Sequence, residues 1–337
     1  MPALTAPAHI LVTGASGFLG PYLVKALLAA GFTVRATARD TTKAEYLTTS
    51  FPGIEIAIVP DGAAPGAYDA AVRGVDGVVH AASPLDATNP GDPSVVIDPA
   101  VKGVTGLLAS VSNTTVKRVV QISSLAAVAH PNFTVQRIYT EADWNDESPA
   151  ICKVVGAAAP PMLKYLASKS LSERAFWEFF SNPQDFDGVA LDCALIYGEP
   201  KGYAANQGRI EGSNGVLVPW VTASPAVDRD EETFPCVDAD DVATAAVRSL
   251  TTAAAGGERF LITTSTAFNN DYAVAASEIN PKVSGNADKA YRAALDAKGS
   301  RYDTVKAEKV LDITFKSKDA VLASSMRAIA AFVARNK

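Results

Sequence analysis

Between one short apolar run and one amphipathic run the chain reads Thr13-Gly14-Ala15-Ser16-Gly17-Phe18-Leu19-Gly20. Gly14, Gly17 and Gly20 follow a G-x-x-G-x-x-G spacing. Residues 9–13 before it predict a strand. Residues 18–30 after it predict a helix with Leu19, Leu23, Ala26, Leu27 and Ala30 on one face, ended by Gly31. A glycine turn in that setting lets the backbone approach a pyrophosphate, and the helix start offers free N–H groups and the positive end of a dipole. Glycine triplets also occur in ordinary turns. The strand before and the helix after are what separate a dinucleotide loop from them.

Working outward, short apolar runs at 33–38, 54–59, 77–81, 117–122, 189–196 and 259–263 predict further strands. Helical patterns at 42–50, 101–111 and 163–180 lie between them, and others follow at 271–276, 289–298 and 318–334. The alternation predicts an α/β fold: a Rossmann-type doubly wound parallel sheet with a smaller mixed C-terminal substrate lobe. The expected division is a nucleotide domain over 1–198, with 234–263 returning to it, and a lobe built from 199–233 and 264–337.

The totals narrow the class. With 48% hydrophobic and 20% charged residues, the 337-residue chain can bury a sizeable core. A net charge of -6 without a basic patch argues against a nucleic-acid partner. Cys152, Cys193 and Cys236 are far apart, as are His9, His80 and His130, so no metal site is expected. With no signal-peptide pattern and no apolar stretch of the ~20 residues a membrane helix needs, a cytoplasmic protein with no membrane partner is expected, as monomer or homodimer.

The second predicted strand should end in the selector for the cofactor ribose. It runs Val34-Arg35-Ala36-Thr37-Ala38-Arg39-Asp40, with Lys43 beyond. Arg39 and Lys43 suit a 2′-phosphate and hence NADP(H), whereas Asp40 would suit a ribose diol. Tyr165-Leu166-Ala167-Ser168-Lys169 places a tyrosine and a lysine on one helix face. An adjacent ammonium favours the phenolate, so such a tyrosine can deliver a proton to a carbonyl oxygen. Ser123-Ser124 ends a predicted strand, at the sheet edge where ligands bind, so Ser124 can hold a substrate oxygen; a strand-end cap is the competing role.

Taken together these segments resemble the extended short-chain dehydrogenase/reductases. The branch is that of dihydroflavonol reductases, cinnamoyl-CoA reductases, fungal methylglyoxal reductases and yeast-type aldehyde/ketone reductases. The match rests on 13–20, 34–43, Val59-Pro60-Asp61, His80-Ala81-Ala82-Ser83-Pro84, 118–128, Glu141-Ala142-Asp143-Trp144-Asn145, 165–169 and 237–243. The resemblance implies that Ser124 orients substrate, Tyr165 donates the proton, and Lys169 binds the nicotinamide ribose. It implies cofactor contacts from Gly14, Ser16, Gly17, Phe18 and Leu19, from Arg39 and Lys43 at the 2′-phosphate, and from Asp61 with Gly62 at the adenine. Ala81, Ala82 and Ser83 would run along the cofactor, with Leu195, Ile196 and Tyr197 near the nicotinamide. Two features depart from the pattern: Lys102 stands where many members have asparagine, and 192–198 lacks the usual proline.

The expected reaction is NADPH-dependent reduction of aldehydes or ketones. Leu85, Val128, His130, Pro161, Tyr197, Tyr203 and Val216 are expected to line a pocket for a neutral, hydrophobic carbonyl compound. A nucleotide-sugar epimerase or dehydratase, a hydroxysteroid dehydrogenase and a non-catalytic NADP sensor are the alternatives on the same scaffold.

Overall fold

The computed structural model describes residues 3–83, 91–131 and 136–336. The first half of the chain runs β1 (His9–Thr13), α1 (Gly20–Ala29), β2 (Thr33–Ala38), α2 (Thr41–Ser50), β3 (Glu55–Ile58), β4 (Gly77–His80), α3 (Ser94–Val111) and β5 (Arg118–Ser124). Then come β6 (Ile138–Tyr139), α4 (Glu147–Val155), α5 (Pro161–Phe179), β7 (Asp187–Cys193) and β8 (Leu195–Tyr197). The remainder is α6 (Tyr203–Asn206), α7 (Val218–Thr222), β9 (Glu232–Thr233), β10 (Cys236–Asp238), α8 (Ala239–Thr251), β11 (Arg259–Ile262), β12 (Ala267–Phe268), α9 (Asn269–Ser277), α10 (Lys289–Lys298), β13 (Arg301–Tyr302), α11 (Val305–Leu311) and α12 (Lys318–Arg335).

Seven strands form one parallel sheet in the order β3-β2-β1-β4-β5-β7-β11, the doubly wound arrangement expected. The chain runs outward from β1 to β3 and then resumes at β4 on the other side of β1. The order therefore reverses between β1 and β4, and the crevice beyond their carboxyl ends is where this topology binds ligands. Alternation along β1 shows how both faces are sealed. Ile10 and Val12 join Leu23, Leu27, Val242 and Ala246 from α1 and α8, while Leu11 joins Val104, Leu107 and Leu108 from α3.

Three differences from the sequence reading have physical causes. The run over 189–196 is two strands, because Ala194 gives its N–H to Ile262 and Leu195 gives its own to Pro235. The chain thereby leaves the main sheet, and β8 pairs in parallel with β10. Helix α8 was not expected: its buried face is Ala239, Val242, Ala243, Ala245, Ala246, Ser249 and Leu250, four alanines among seven, with few of the large apolar residues that mark a core helix. Helix α3 starts at Ser94 and, at 18 residues, is long and apolar enough to cross a membrane by composition; here Val104, Leu107, Leu108 and Val111 pack into the core instead. After Gly198 a second core forms from Tyr197, Leu217, Trp220, Tyr272, Leu322 and Met326.

Candidate active site

The turn from β1 to α1 is shaped for close approach. Gly14 has φ +69°, and a Cβ there would sit 2.8 Å from the Ala82 nitrogen. A Cβ on Gly20 would lie 2.0 Å from the Ala15 carbonyl oxygen. Both positions exclude any side chain, so the β1 and β4 ends can meet. Helix α1 has no side-chain cap and no acid in its first turn, which leaves its start open to an anion. Thr13 tightens the junction by accepting from the Ala82 N–H at 3.1 Å and sharing a hydrogen bond with His80 Nδ1 at 2.8 Å. Burial, reinforced by the Lys169 charge, holds the His80 ring down at about 4, so it stays neutral. The cradle fits a pyrophosphate.

At the end of β2, Asp40 caps α2 by accepting from the Lys43 N–H at 2.8 Å, and its carboxyl is held below the usual range mainly by that bond. Asp40 therefore has a structural task, and the exposed Arg39 and the Lys43 ammonium are the cationic groups of this corner. Asp61 accepts from the Ala63 N–H, and a Cβ on Gly62 would lie 2.4 Å from the hydroxyl of buried Tyr68.

Across the switch point stand the candidate reacting groups. Ser124, the last residue of β5, accepts from the Ala126 N–H at 3.2 Å and so caps the turn Leu125–Ala127. That bond uses a lone pair and leaves the hydroxyl proton to give. Helix α5 packs against this same turn, bringing Tyr165 and Lys169, both half-buried, to the carboxyl end of β5. The Lys169 ammonium lies 5.6 Å from the Tyr165 ring centre and donates to Ser83 Oγ at 2.8 Å. Ser83, at the end of the run through Ala81 and Ala82, thus ties the β4 edge to α5.

The expected substrate pocket needs correction. Val128 is buried behind the Leu125–Ala127 turn, and Tyr197 is fully buried with its hydroxyl bonded to that of Tyr272 at 3.1 Å. Both fill cores and line no opening; Tyr197 likewise presents no side chain to a nicotinamide, whereas Leu195 and Ile196 are half-buried. Tyr203 lies on the phosphate side: its N–H donates to the Ser16 carbonyl at 2.9 Å, and its ring stands edge-on to Tyr46. His130 lies 3.8 Å from Glu147, while Pro161 and Val216 are exposed. Leu85 lies outside the described residues. Lys102 is exposed on α3, 3.7 Å from Asp98, and takes no part in the site. A surface cavity of about 480 Å³ between α3 and α4, lined by Ile97, Pro149 and Cys152 among others, shares no residue with the site.

Sequence reasoning missed the strap over the glycine loop. Gly202 has φ +90°, and a Cβ there would meet the Gly17 carbonyl oxygen at 2.6 Å. Tyr22 donates to the Glu199 carbonyl at 2.8 Å, and the Lys43 ammonium lies 5.9 Å from the Tyr203 ring centre. Glycine at 202 was the one local signal; the contacts come from distant segments.

Residues 10–263 match the NAD dependent epimerase/dehydratase family. An uncharacterised oxidoreductase of Schizosaccharomyces pombe is 33% identical over 264 residues, 75% of this chain and 76% of its own length. The ketoreductase azaE of Aspergillus niger is 29% identical over 328 residues, covering 91% and 93% of the two chains. The crystal structure of yeast methylglyoxal/isovaleraldehyde reductase Gre2 complexed with NADPH superposes with a TM-score of 0.85 at 25% identity, over 97% of this chain and 99% of that one. The chain belongs to the NAD dependent epimerase/dehydratase family.

Proposed function

We propose that the protein is an NADP(H)-dependent carbonyl reductase acting on small, neutral, hydrophobic aldehydes or ketones. The observation that carries this reading is the Lys169–Ser83 bond, which ties the helix of Tyr165 and Lys169 to the β4 end beside the glycine cradle, with the same helix packed on the turn that Ser124 caps. Bound NADPH would supply the hydride. Ser124 orients the substrate carbonyl by donating its hydroxyl proton, and Tyr165 delivers a proton to the developing alkoxide. Lys169, one helical turn on, holds the nicotinamide ribose and favours the tyrosinate that this delivery leaves behind. Arg39 and Lys43 select the 2′-phosphate, with Asp40 committed to its cap. The named ketoreductase and methylglyoxal/isovaleraldehyde reductase relatives support the carbonyl substrate class. Buried, unpaired Cys152, Cys193 and Cys236 suit a reducing, cytoplasmic setting.

The test is oxidation of NADPH and NADH, in parallel, by purified protein with aliphatic aldehydes, methylglyoxal, aryl ketones and β-ketoesters. NADPH-dependent turnover of a carbonyl well above the NADH rate is expected. Turnover of a nucleotide sugar with no external cofactor, or tight NADPH binding with silence across the panel, would sink the reading.

A further inference from the structure

Behind Ser124, the opposite side of β5 carries a charged cluster sealed from water. Ser123, Glu173, Asp192 and Arg259 reach it from β5, α5, β7 and β11, and Glu173 and Asp192 are completely buried. Glu173 is fully engaged: Ser123 donates to one oxygen at 2.5 Å, and Arg259 Nε at 2.6 Å and the Trp177 indole at 3.2 Å donate to the other. Asp192 is not. With the Ser123 hydroxyl turned to Glu173, neither of the buried Asp192 oxygens has a donor among the described residues, and the Arg259 Nη2 stands 3.4 Å from Oδ2, too far for a good hydrogen bond.

Charge counting sharpens the contrast. The cluster holds one guanidinium and two carboxyl groups. With both carboxyls ionised it carries a net negative charge in a dry interior, which burial strongly disfavours. A carboxylate without donors is the least tolerable form of that charge. A carboxylic acid has a proton to donate, and the Glu173 carboxylate, held by Nε of the same guanidinium whose Nη2 faces Asp192, is the acceptor on that side. One proton therefore balances the charge and satisfies Asp192 in the same step.

The surrounding groups offer no other balance. Arg259 gives its Nη1 to the carbonyls of Glu141 and Asp143, and the Trp144 ring lies 3.7 Å over its guanidinium. Glu141 adds a further carboxylate nearby, accepting from the Leu261 N–H at 3.4 Å. Arg174, across Trp144, is paired with Asp146. Lys169 is committed to Ser83, and Cys193, next to Asp192, has its thiol pushed up by burial.

We propose that Asp192 carries a proton in the folded protein and shares it with Glu173, and that this neutralised cluster is a brace positioning Ser124 and Lys169. The positioning half rests on the reductase reading above; the proton does not. Burial and then the Glu173 charge push the Asp192 carboxyl well above the usual range. Burial opposes ionisation of Glu173 as well. The hydrogen bond from Asp192 and the Arg259 charge outweigh it and hold Glu173 below that range. The pair titrates as a unit.

The geometry shows how the brace acts. Ser123 and Ser124 are consecutive, so fixing one side chain fixes the peptide that presents the other. Tyr165, Lys169 and Glu173 recur every fourth residue along α5, so the Glu173 carboxylate ties that helix to β5 one turn beyond Lys169. The cluster also explains the 141–145 motif, whose carbonyls and tryptophan close it from outside.

Asp192→Asn tests this, because the amide has the shape of the neutral acid, donates to Glu173 and cannot ionise. An acid whose pKa is raised by folding contributes stability that is fully present below its unfolded value of ~3.9 and is lost as pH rises toward the folded value. The Asn variant lacks that loss, so its Tm minus the wild-type Tm should increase between about pH 5 and about pH 8. Its kcat/KM should stay within about threefold of wild type. Infrared difference spectra should show a protonated-carboxyl stretch, shifted by deuterium, in wild type and not in the variant. A constant Tm difference with no such band would show Asp192 ionised and overturn the proposal. If the band is present but Asp192→Leu, still folded, keeps full kcat/KM, the positioning role is overturned. Wild-type protein that reduces no carbonyl overturns the reductase reading instead and leaves the infrared result standing.

Discussion

Ser124 and Ser123 are neighbours on one strand, yet the two sides of β5 that they serve are built on opposite rules. On the Ser124 side, Tyr165 and Lys169 are half-buried, and the serine hydroxyl keeps a proton to give after capping its turn. On the Ser123 side the groups are buried and turned inward: Arg259 joins Glu173 to the 141–145 segment, and Asp192 completes its bonding only by carrying a proton itself. Strand alternation turns the two serines apart, while one helix, α5, supplies Tyr165 and Lys169 to the first set and Glu173 to the second. One side holds polar groups whose bonding capacity is directed at a reactant, and the other holds polar groups whose capacity is met by the protein. Substitutions on the first should therefore change rate and leave stability, whereas substitutions on the second should act on stability first and on rate only through the positions of Ser124 and Lys169.

The largest effect tests the open side. Tyr165→Phe removes the proton donor and little packing, so kcat/KM for carbonyl reduction should fall by about 10²–10⁴. The melting temperature should move by no more than a degree or two (about 0.5 kcal/mol). Steady-state kinetics beside a thermal melt separates the two quantities. A variant that keeps more than about a tenth of wild-type turnover breaks the assignment of Tyr165.

The sealed side should respond in stability. Arg259→Leu leaves the buried Glu173 charge without its counter-ion and should destabilise by about 3–5 kcal/mol at neutral pH. Without the guanidinium, both carboxyl pKa values in the folded variant lie above their unfolded ones. Its stability is then lost as pH rises past the unfolded carboxyl range of ~4, so the deficit should shrink on acidification. Urea unfolding at about pH 7 and about pH 5 reads this directly. A deficit that does not change with pH would mean that lost packing around Trp144, not charge, dominates.

The same contrast explains what was legible in the sequence. The glycine loop could be read because its spacing and its strand-before, helix-after setting are local: Gly20 is demanded by Ala15 within the loop, although Gly14 answers to Ala81 and Ala82 from β4's end. The doubly wound parallel sheet, though not its strand order, followed from alternation, and the Tyr165–Lys169 spacing places two groups on one helix face before any fold is known. The brace could not be read. Asp192 in a strand interior gives no sign that its partners are Glu173 and Arg259, which arrive from other elements. Helix α8 stayed hidden because alanine carries its buried face. The pocket reading failed at Val128 and Tyr197 for a related reason: an apolar or aromatic residue near a site fills the core as readily as it lines an opening.

Tyr203 gives the smallest effect, and it asks whether the open side extends to the strap. Its backbone is fixed by the bond to Ser16, so its side chain can be removed without unseating the segment. What the ring contributes is contact with Tyr46 at 6.0 Å between centres and a place 5.9 Å from the Lys43 ammonium. Exposed cation–π and edge-on aromatic contacts are worth about 0.5–1 kcal/mol each. Tyr203→Ala should thus leave Lys43 less well held and weaken NADPH binding by roughly threefold to tenfold. NADH, which lacks the 2′-phosphate, should bind the variant and wild type alike. Fluorescence titration with both nucleotides measures this without turnover. Equal weakening of both would place the ring over the shared part of the cofactor. No change in either would make the strap a structural feature of the lobe, and the open side would end at Lys43.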